Sequence, residues 1–216
     1  MISTVLFDLD GTIVDTNELI ITTFLRVIEK HLDKPYTREQ IIPYMGMTLE
    51  EQLQIFSGQA EVSHLVKEYR SFNNEHHDEL VREFPHVLEV IRELHQRGIK
   101  LGVVTTKIRL TAMRALELFG LKPYMDVIIT VEDVKHPKPH AEPILKAVNQ
   151  LKADPDSTLM VGDSPADLKS AHAAGVRSAA VAWSLKGSEF LQKYNPDYIL
   201  KDMTDLYGLV GMGANR

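Results

Sequence analysis

The sequence predicts an α/β chain: a doubly wound, mostly parallel sheet with a small all-helical domain inserted after its first strand. Three observations predict it. Ser3-Thr4-Val5-Leu6-Phe7 is a short apolar run rich in β-formers, and it ends abruptly in Asp8-Leu9-Asp10-Gly11-Thr12. From Pro85 onward, short apolar runs alternate with amphipathic helical periods closed by glycine, the pattern of a parallel sheet covered on both faces. Finally, Asp8 and Thr105 are 97 residues apart, whereas one strand–helix–strand step takes about 30. The surplus is a helical block over residues 16–82, leaving residues 1–15 and 83–216 as the core.

Each element has its own signal. Leu19, Ile20, Phe24, Val27 and Ile28 recur at helical spacing, and that helix is expected to end near Asp33-Lys34-Pro35. Short helical patterns follow over 37–42 and 48–56, the second with Thr48 as N-cap and Glu51 three residues on. Another runs from about Ala60 to Arg82. In the core, helices are expected over 87–96, 110–119, 142–150, 166–174 and 188–194. Strands are expected over 100–105, 127–130, 158–161 and 177–182, with Tyr198-Ile199-Leu200 as a last edge strand. Gly211 to Arg216 reads as a loose tail.

Bulk properties exclude several classes. The 216 residues carry a net charge of −6 with no basic block, which argues against a nucleic-acid or membrane partner. There are no cysteines, so disulfides and thiol chemistry are excluded and a reducing, cytoplasmic setting is expected. No apolar stretch approaches the roughly 20 residues needed to cross a bilayer, and no signal peptide is expected. The oligomeric state stays open.

The chemistry gathers at strand ends. In an open parallel sheet ligands bind beyond the carboxyl ends of the strands, and a helical block leaving from the Asp8 strand end is expected to lie over that edge as a lid. Strand alternation is expected to set Asp8 and Asp10 on one side, a few ångströms apart. Thr105 follows the strand 100–105, Lys138 lies in His136-Pro137-Lys138-Pro139, and Gly162-Asp163-Ser164-Pro165-Ala166-Asp167 follows the strand 158–161. Carboxylates suit a hard divalent cation, Mg²⁺ being the natural one. A hydroxyl and an ammonium suit an anion with tetrahedral oxygens. A divalent metal facing a phosphate is the joint reading.

This order of motifs resembles the haloacid dehalogenase-like (HAD) phosphohydrolases. The matching positions are Asp8-Leu9-Asp10-Gly11-Thr12, Thr105, Lys138 and the pair Asp163 and Asp167. The resemblance spans the whole chain and implies a C1-type helical cap over 16–82. It further implies that Asp8 is the nucleophile and that Asp10 donates and then accepts the proton. Mg²⁺ would rest on the Asp8 carboxylate, the Asp10 backbone carbonyl and Asp163, with Asp167 as a ligand or a supporting group. Thr105 and Lys138 would hold the phosphoryl oxygens. Closure of the cap over Asp10 is expected to desolvate it.

Within that family the chain is most similar to the PpaX-type inorganic pyrophosphatases, on Thr16-Asn17-Glu18-Leu19-Ile20-Ile21, on Tyr69 to Asp78, on Val104 to Arg109 and on Val181 to Gly187. Two departures are His140-Ala141 after Lys138-Pro139, where the family usually carries an acid, and Ser164-Pro165-Ala166 between the two acids. Pyrophosphate needs cationic or hydrogen-bonding partners for its distal phosphate. The substrate-binding candidates are Thr12, Thr106, Lys107, Arg109 and His76, with His77, Asn73 and the loop 44–48 also in reach. The alternative activity is an organic phosphomonoesterase such as a phosphoglycolate phosphatase. A phosphorylatable signalling module is a further alternative, although such a module carries no helical insert.

Overall fold

The apolar runs do form a sheet, and its strand order puts the first run at the centre. The computed structural model describes residues 1–32 and 35–212. Its strands are β1 (Thr4–Phe7), β2 (Lys100–Val104), β3 (Val127–Ile129), β4 (Thr158–Gly162), β5 (Arg177–Val181) and β6 (Tyr198–Leu200). They lie in the order β3-β2-β1-β4-β5-β6, and every neighbouring pair is parallel. Phe7 pairs with Val103 on one side and Val161 on the other. The residues following Phe7, Val104 and Gly162 therefore emerge at one edge, side by side.

Alternation along each strand feeds two cores. Val5, Phe7, Leu101, Val103, Leu159 and Val161 pack with α5 (Val87–Gln96) and α6 (Arg109–Leu118) on one face. Leu6, Val104 and Met160 pack with α7 (Glu142–Leu151) and α8 (Pro165–Ala174) on the other. These strands are buried on both faces, which is why the sequence shows continuous rather than alternating apolar runs. Helices α9 (Ser188–Gln192) and α10 (Leu206–Leu209) complete the described chain. The last is too short to leave a periodic signal and was not expected. None of the helices among the described residues is long and apolar enough to cross a membrane.

Between β1 and α5 the chain forms α1 (Asn17–His31), α2 (Arg38–Ile41), α3 (Leu49–Ser57) and α4 (Ser63–Leu80). These helices bury an apolar cluster of their own, in which Phe24 meets Phe56 edge-on at 5.2 Å and Tyr69 at 4.7 Å. Thr48 caps α3 as its spacing to Glu51 predicts: its amide donates to Glu51 Oε2 at 3.0 Å. The helical unit joins the sheet domain through two strands of chain clasped to each other, with reciprocal 2.9 Å hydrogen bonds between the backbones of Asp15 and Arg82. The expected stop of the first helix at Asp33-Lys34, and the tail beyond Met212, lie outside the described residues.

Candidate active site

Lys138 is the hub of the carboxyl edge. Its ammonium is 2 % exposed and donates to Asp8 Oδ1 at 2.8 Å, to Asp167 Oδ1 at 2.6 Å and to the Val104 carbonyl at 2.8 Å. A buried ammonium is tolerable only with such a full set of acceptors. Burial pushes its pKa down, but the charges of Asp167 and Asp8 outweigh this and hold it above the usual lysine range.

Around it sits an excess of negative charge. Asp8, Asp163 and Asp167 are buried, and one oxygen from each lies within 4.8 Å of the others. Burial, opposed by Lys138 and reinforced by Asp167 and Asp163, pushes Asp8 up to about 8. Burial also lifts Asp163, to about 6, against the pull of Lys186. Two buried lysines, Lys138 and Lys186, do not balance three desolvated carboxylates, and an all-oxygen donor set with surplus negative charge fits a hard divalent cation. Asp167 is the member most engaged elsewhere. Its Oδ1 holds Lys138, while its Oδ2 accepts from the Ser164 amide at 3.0 Å and the Ser164 hydroxyl at 2.7 Å, closing a capping box at the start of α8. Gly162 is required here, because a Cβ on it would lie 2.3 Å from the Asp167 side chain.

Asp10 lies past the end of the strand, where the chain turns. The strand ends at Phe7, and the amides of Thr12, Ile13 and Val14 all turn back onto the Leu9 carbonyl, so strand alternation does not carry through to residue 10. Its carboxylate stands apart from the three-acid cluster and is taken by Lys107, whose ammonium lies 2.9 Å from Oδ1 and 3.3 Å from Oδ2. Asp10 nevertheless shares one cavity with Asp8 and Asp163.

That cavity, about 110 Å³, lies between the sheet edge and the helical unit. The sheet domain contributes Asp8, Asp10, Thr106, Lys107 and Asp163 to its walls; the helical unit contributes Met45, Gly46, Met47, Tyr69, Arg70 and Asn73. The loop before α3 touches the sheet domain directly. Gly46, at φ +97°, comes so close to Ser164 that a Cβ would lie 2.6 Å from its Oγ, and the Gly46 carbonyl accepts from Thr106 Oγ1 at 3.4 Å. Arg70 points its charge at Glu50, 3.4 Å away.

Other candidates sit elsewhere. Thr105 is buried, and its Oγ1 accepts from the Lys107 amide at 3.1 Å, fixing the turn that aims Lys107. Thr12 is buried and does not line the cavity: its Oγ1 has no hydrogen-bond partner, and its carbonyl accepts from Trp183 Nε1 at 3.3 Å. Arg109 and His76 are not brought to the cavity. Arg109 starts α6 and is drawn outward to Asp133 at 2.6 Å and the Ile128 carbonyl at 3.2 Å. His76 stacks on Phe72 at 4.0 Å and bonds that residue's carbonyl one turn back. His77 is buried with Nδ1 on Asp78, so of the adjacent pair neither faces the cavity. The acid missing at His140-Ala141 is supplied by Glu142, which accepts from the amides of Lys135 at 2.9 Å and His136 at 3.0 Å and so shapes the loop carrying Lys138.

Two groups escaped the sequence reading. Lys186, 3 % exposed, places its ammonium 3.9 Å from Asp163 Oδ2, and the Ser184 hydroxyl donates to the Asp163 carbonyl at 2.7 Å. Both follow β5 at the carboxyl edge, so the rule that singled out the other strand ends applies equally to them.

Comparison with known proteins agrees with this geometry. A family model described as haloacid dehalogenase-like hydrolase matches residues 5–181. A protein from Bacillus mycoides named pyrophosphatase PpaX is 45% identical over 205 residues, covering 95% of each chain. Among solved structures, a haloacid dehalogenase-like hydrolase from Bacteroides fragilis is 32% identical at a TM-score of 0.86, covering 95% of this chain and 100% of that one. A haloacid dehalogenase-like family protein from Streptococcus pneumoniae is 25% identical at a TM-score of 0.85, covering 97% and 98%. With its parallel sheet, its buried lysine and its acids at the carboxyl edge, the chain belongs to the haloacid dehalogenase-like hydrolases and is an enzyme.

Proposed function

We propose that the enzyme hydrolyses inorganic pyrophosphate to two phosphates, with Mg²⁺ as cofactor and an aspartyl-phosphate on Asp8 as intermediate. The observation that carries the choice of substrate is the small cavity whose walls Lys107, paired with Asp10, shares with the Asp8 and Asp163 carboxylates. At about 110 Å³ it is well below the roughly 300–1,000 Å³ of sites for drug-sized ligands. Space of that order suits a compact anion, and the likeness to pyrophosphatase PpaX supports the same reading.

Asp8, Asp163 and the Asp10 backbone carbonyl would hold Mg²⁺, with Asp167 supporting them through Lys138. The bound ion would offset the charge on the phosphoryl oxygens and favour the ionised form of Asp8. Lys138 already engages Asp8 Oδ1, so Oδ2 attacks phosphorus while the bridging P–O bond breaks. The departing phosphate takes a proton from Asp10. In the second step a water attacks the aspartyl-phosphate, its proton passes to Asp10, the acyl–phosphate bond breaks, and Asp8 and the second phosphate are restored. Lys138 and Thr105 steady the transferring oxygens. Lys107 moves from Asp10 to the distal phosphate, which frees the Asp10 carboxylate to carry a proton. The helical unit acts as a cap, excluding bulk water and desolvating Asp10 while the loop 45–47 lies against Ser164 and Thr106.

The test is phosphate release with Mg²⁺ from pyrophosphate, phosphoglycolate and a panel of sugar phosphates. The expected outcome is the highest kcat/KM for pyrophosphate, full loss in EDTA with recovery on adding Mg²⁺, and no turnover by a folded Asp8→Asn variant. Preference for a phosphomonoester would refute the substrate, and turnover by Asp8→Asn would refute the nucleophile.

A further inference from the structure

A second set of metal donors sits on the outer side of the loop that delivers Lys138. His136, His140 and Glu142 each offer one ligand atom, and the three atoms lie within 4.8 Å of one another. We propose that they form a binding site for a divalent transition ion, Zn²⁺ foremost, on the surface between β3 and α7 and separate from the acidic cavity.

The hydrogen bonds around the three residues carry the argument. His136 Nδ1 lies 2.9 Å from Glu142 Oε2. A metal ion there replaces the proton shared between Nδ1 and Oε2, so that these two atoms serve as donors to one ion. Glu142 is itself held by the amides of Lys135 and His136. The backbone of His140 is fixed as well: its carbonyl accepts from Ser170 Oγ at 2.6 Å, and its amide donates to the Pro137 carbonyl at 3.0 Å. Its ring centroid is 4.8 Å from that of His136. Its Nδ1 accepts from the Glu142 amide at 3.0 Å, a contact that a metal bond at this ring replaces.

Donor type sets this site apart from the acidic cluster. Two imidazoles and a carboxylate prefer Zn²⁺, Ni²⁺ or Cu²⁺ to Mg²⁺, which dehydrates reluctantly and favours oxygen. His136 is 64% exposed, so water completes the coordination and the ion exchanges with solvent. Because His136 and His140 bracket Lys138, a bound ion ties down both sides of the turn that seats the buried ammonium.

The test compares Zn²⁺ uptake by the wild-type enzyme and by the His136→Ala/His140→Ala variant, using isothermal titration in excess Mg²⁺. Taking the difference removes any Zn²⁺ bound at the acidic cluster. The expected result is one additional equivalent in the wild type and visible d–d absorption with Co²⁺ that the variant lacks. Zn²⁺ should also raise the melting temperature of the wild type alone. The single variants His136→Asn and His140→Asn, which keep a polar side chain of similar size, should each weaken Zn²⁺ at least tenfold. Equal stoichiometry and affinity in the wild type and the double variant, or undiminished binding in both single variants, would overturn the assignment.

Discussion

Gly46→Ala separates the position of the helical unit from the integrity of the fold. The added Cβ would lie 2.6 Å from Ser164 Oγ and 2.8 Å from Ser164 Cβ, and ordinary contact begins at 3.4 Å. The loop must therefore retreat by about 0.8 Å, the difference between 3.4 and 2.6 Å, loosening the Thr106–Gly46 hydrogen bond. At φ +97° the alanine also adds backbone strain of about 1–2 kcal/mol. A misplacement near 1 Å at an active site costs up to about 100-fold in rate, so kcat/KM should fall by about 10- to 100-fold. Apart from Met45, the buried members of the helical unit's apolar cluster lie outside this loop. At about 2–4 °C per kcal/mol for a chain of this size, the strain should lower the melting temperature by only about 2–8 °C. Ser164→Gly removes both clashing atoms, at the expense of the hydroxyl that caps Asp167. In the double variant the steric part of the Gly46→Ala loss should return relative to Ser164→Gly alone. Steady-state phosphate release and thermal melts on the four proteins read this out. A folded Gly46→Ala enzyme with kcat/KM within twofold of wild type would refute the reasoning.

Three further outcomes follow from the charges. Lys107→Met removes the only described cation bonded to Asp10 and the partner proposed for the distal phosphate. A charge-assisted hydrogen bond of about 1.5–3 kcal/mol corresponds to a rise in KM for pyrophosphate of about 10- to 150-fold, with a smaller change for a monoester; equal effects on both would count against the role. Lys138→Met strands Asp8 and Asp167, a loss of about 3–5 kcal/mol for a broken buried pair. In the wild type Asp8 is raised to about 8, so its ionic pairing with Lys138 is present at pH 9 and largely absent at pH 6; urea melts in EDTA should therefore show a larger loss at pH 9 than at pH 6, and a pH-independent loss would contradict the buried pair. In the metal-free wild type, Asp8 and Asp163 are raised to about 8 and about 6, so the folded state binds more protons than the unfolded one. Their contribution is present below pH 4 and is lost as pH rises through 6 to 8, and Mg²⁺ should flatten this slope; a metal-free stability that rises over that range would show the acids are not raised.

The parts of the site legible in the sequence were those fixed by strand ends. Asp8, Thr105 and Asp163 each follow an apolar run, and parallel pairing at one register necessarily brings them together. What spacing could not reveal was the bond between Asp10 and Lys107, made where three amides gather on the Leu9 carbonyl and the chain turns. Arg109 and His76 carried the right chemistry but were claimed by nearer partners, Asp133 and Phe72, and such local competition leaves no trace in residue spacing. Lys186 was overlooked although it stands just past β5, since a lone lysine in a polar loop resembles any solvated one until its burial is seen. The approach of Gly46 to Ser164 depends on how two packed units meet, which no local pattern encodes.

The clasp between Asp15 and Arg82 has a further consequence. Because the chain leaves and re-enters at a single point, the sheet experiences everything between as though it were one tight turn, and its pairing does not depend on what that excursion contains. Lineages can thus redraw residues 17–80 while the acids and the lysine keep their places. The reactive groups and the wall that the helical unit adds to their cavity are carried on separable lengths of the same polymer.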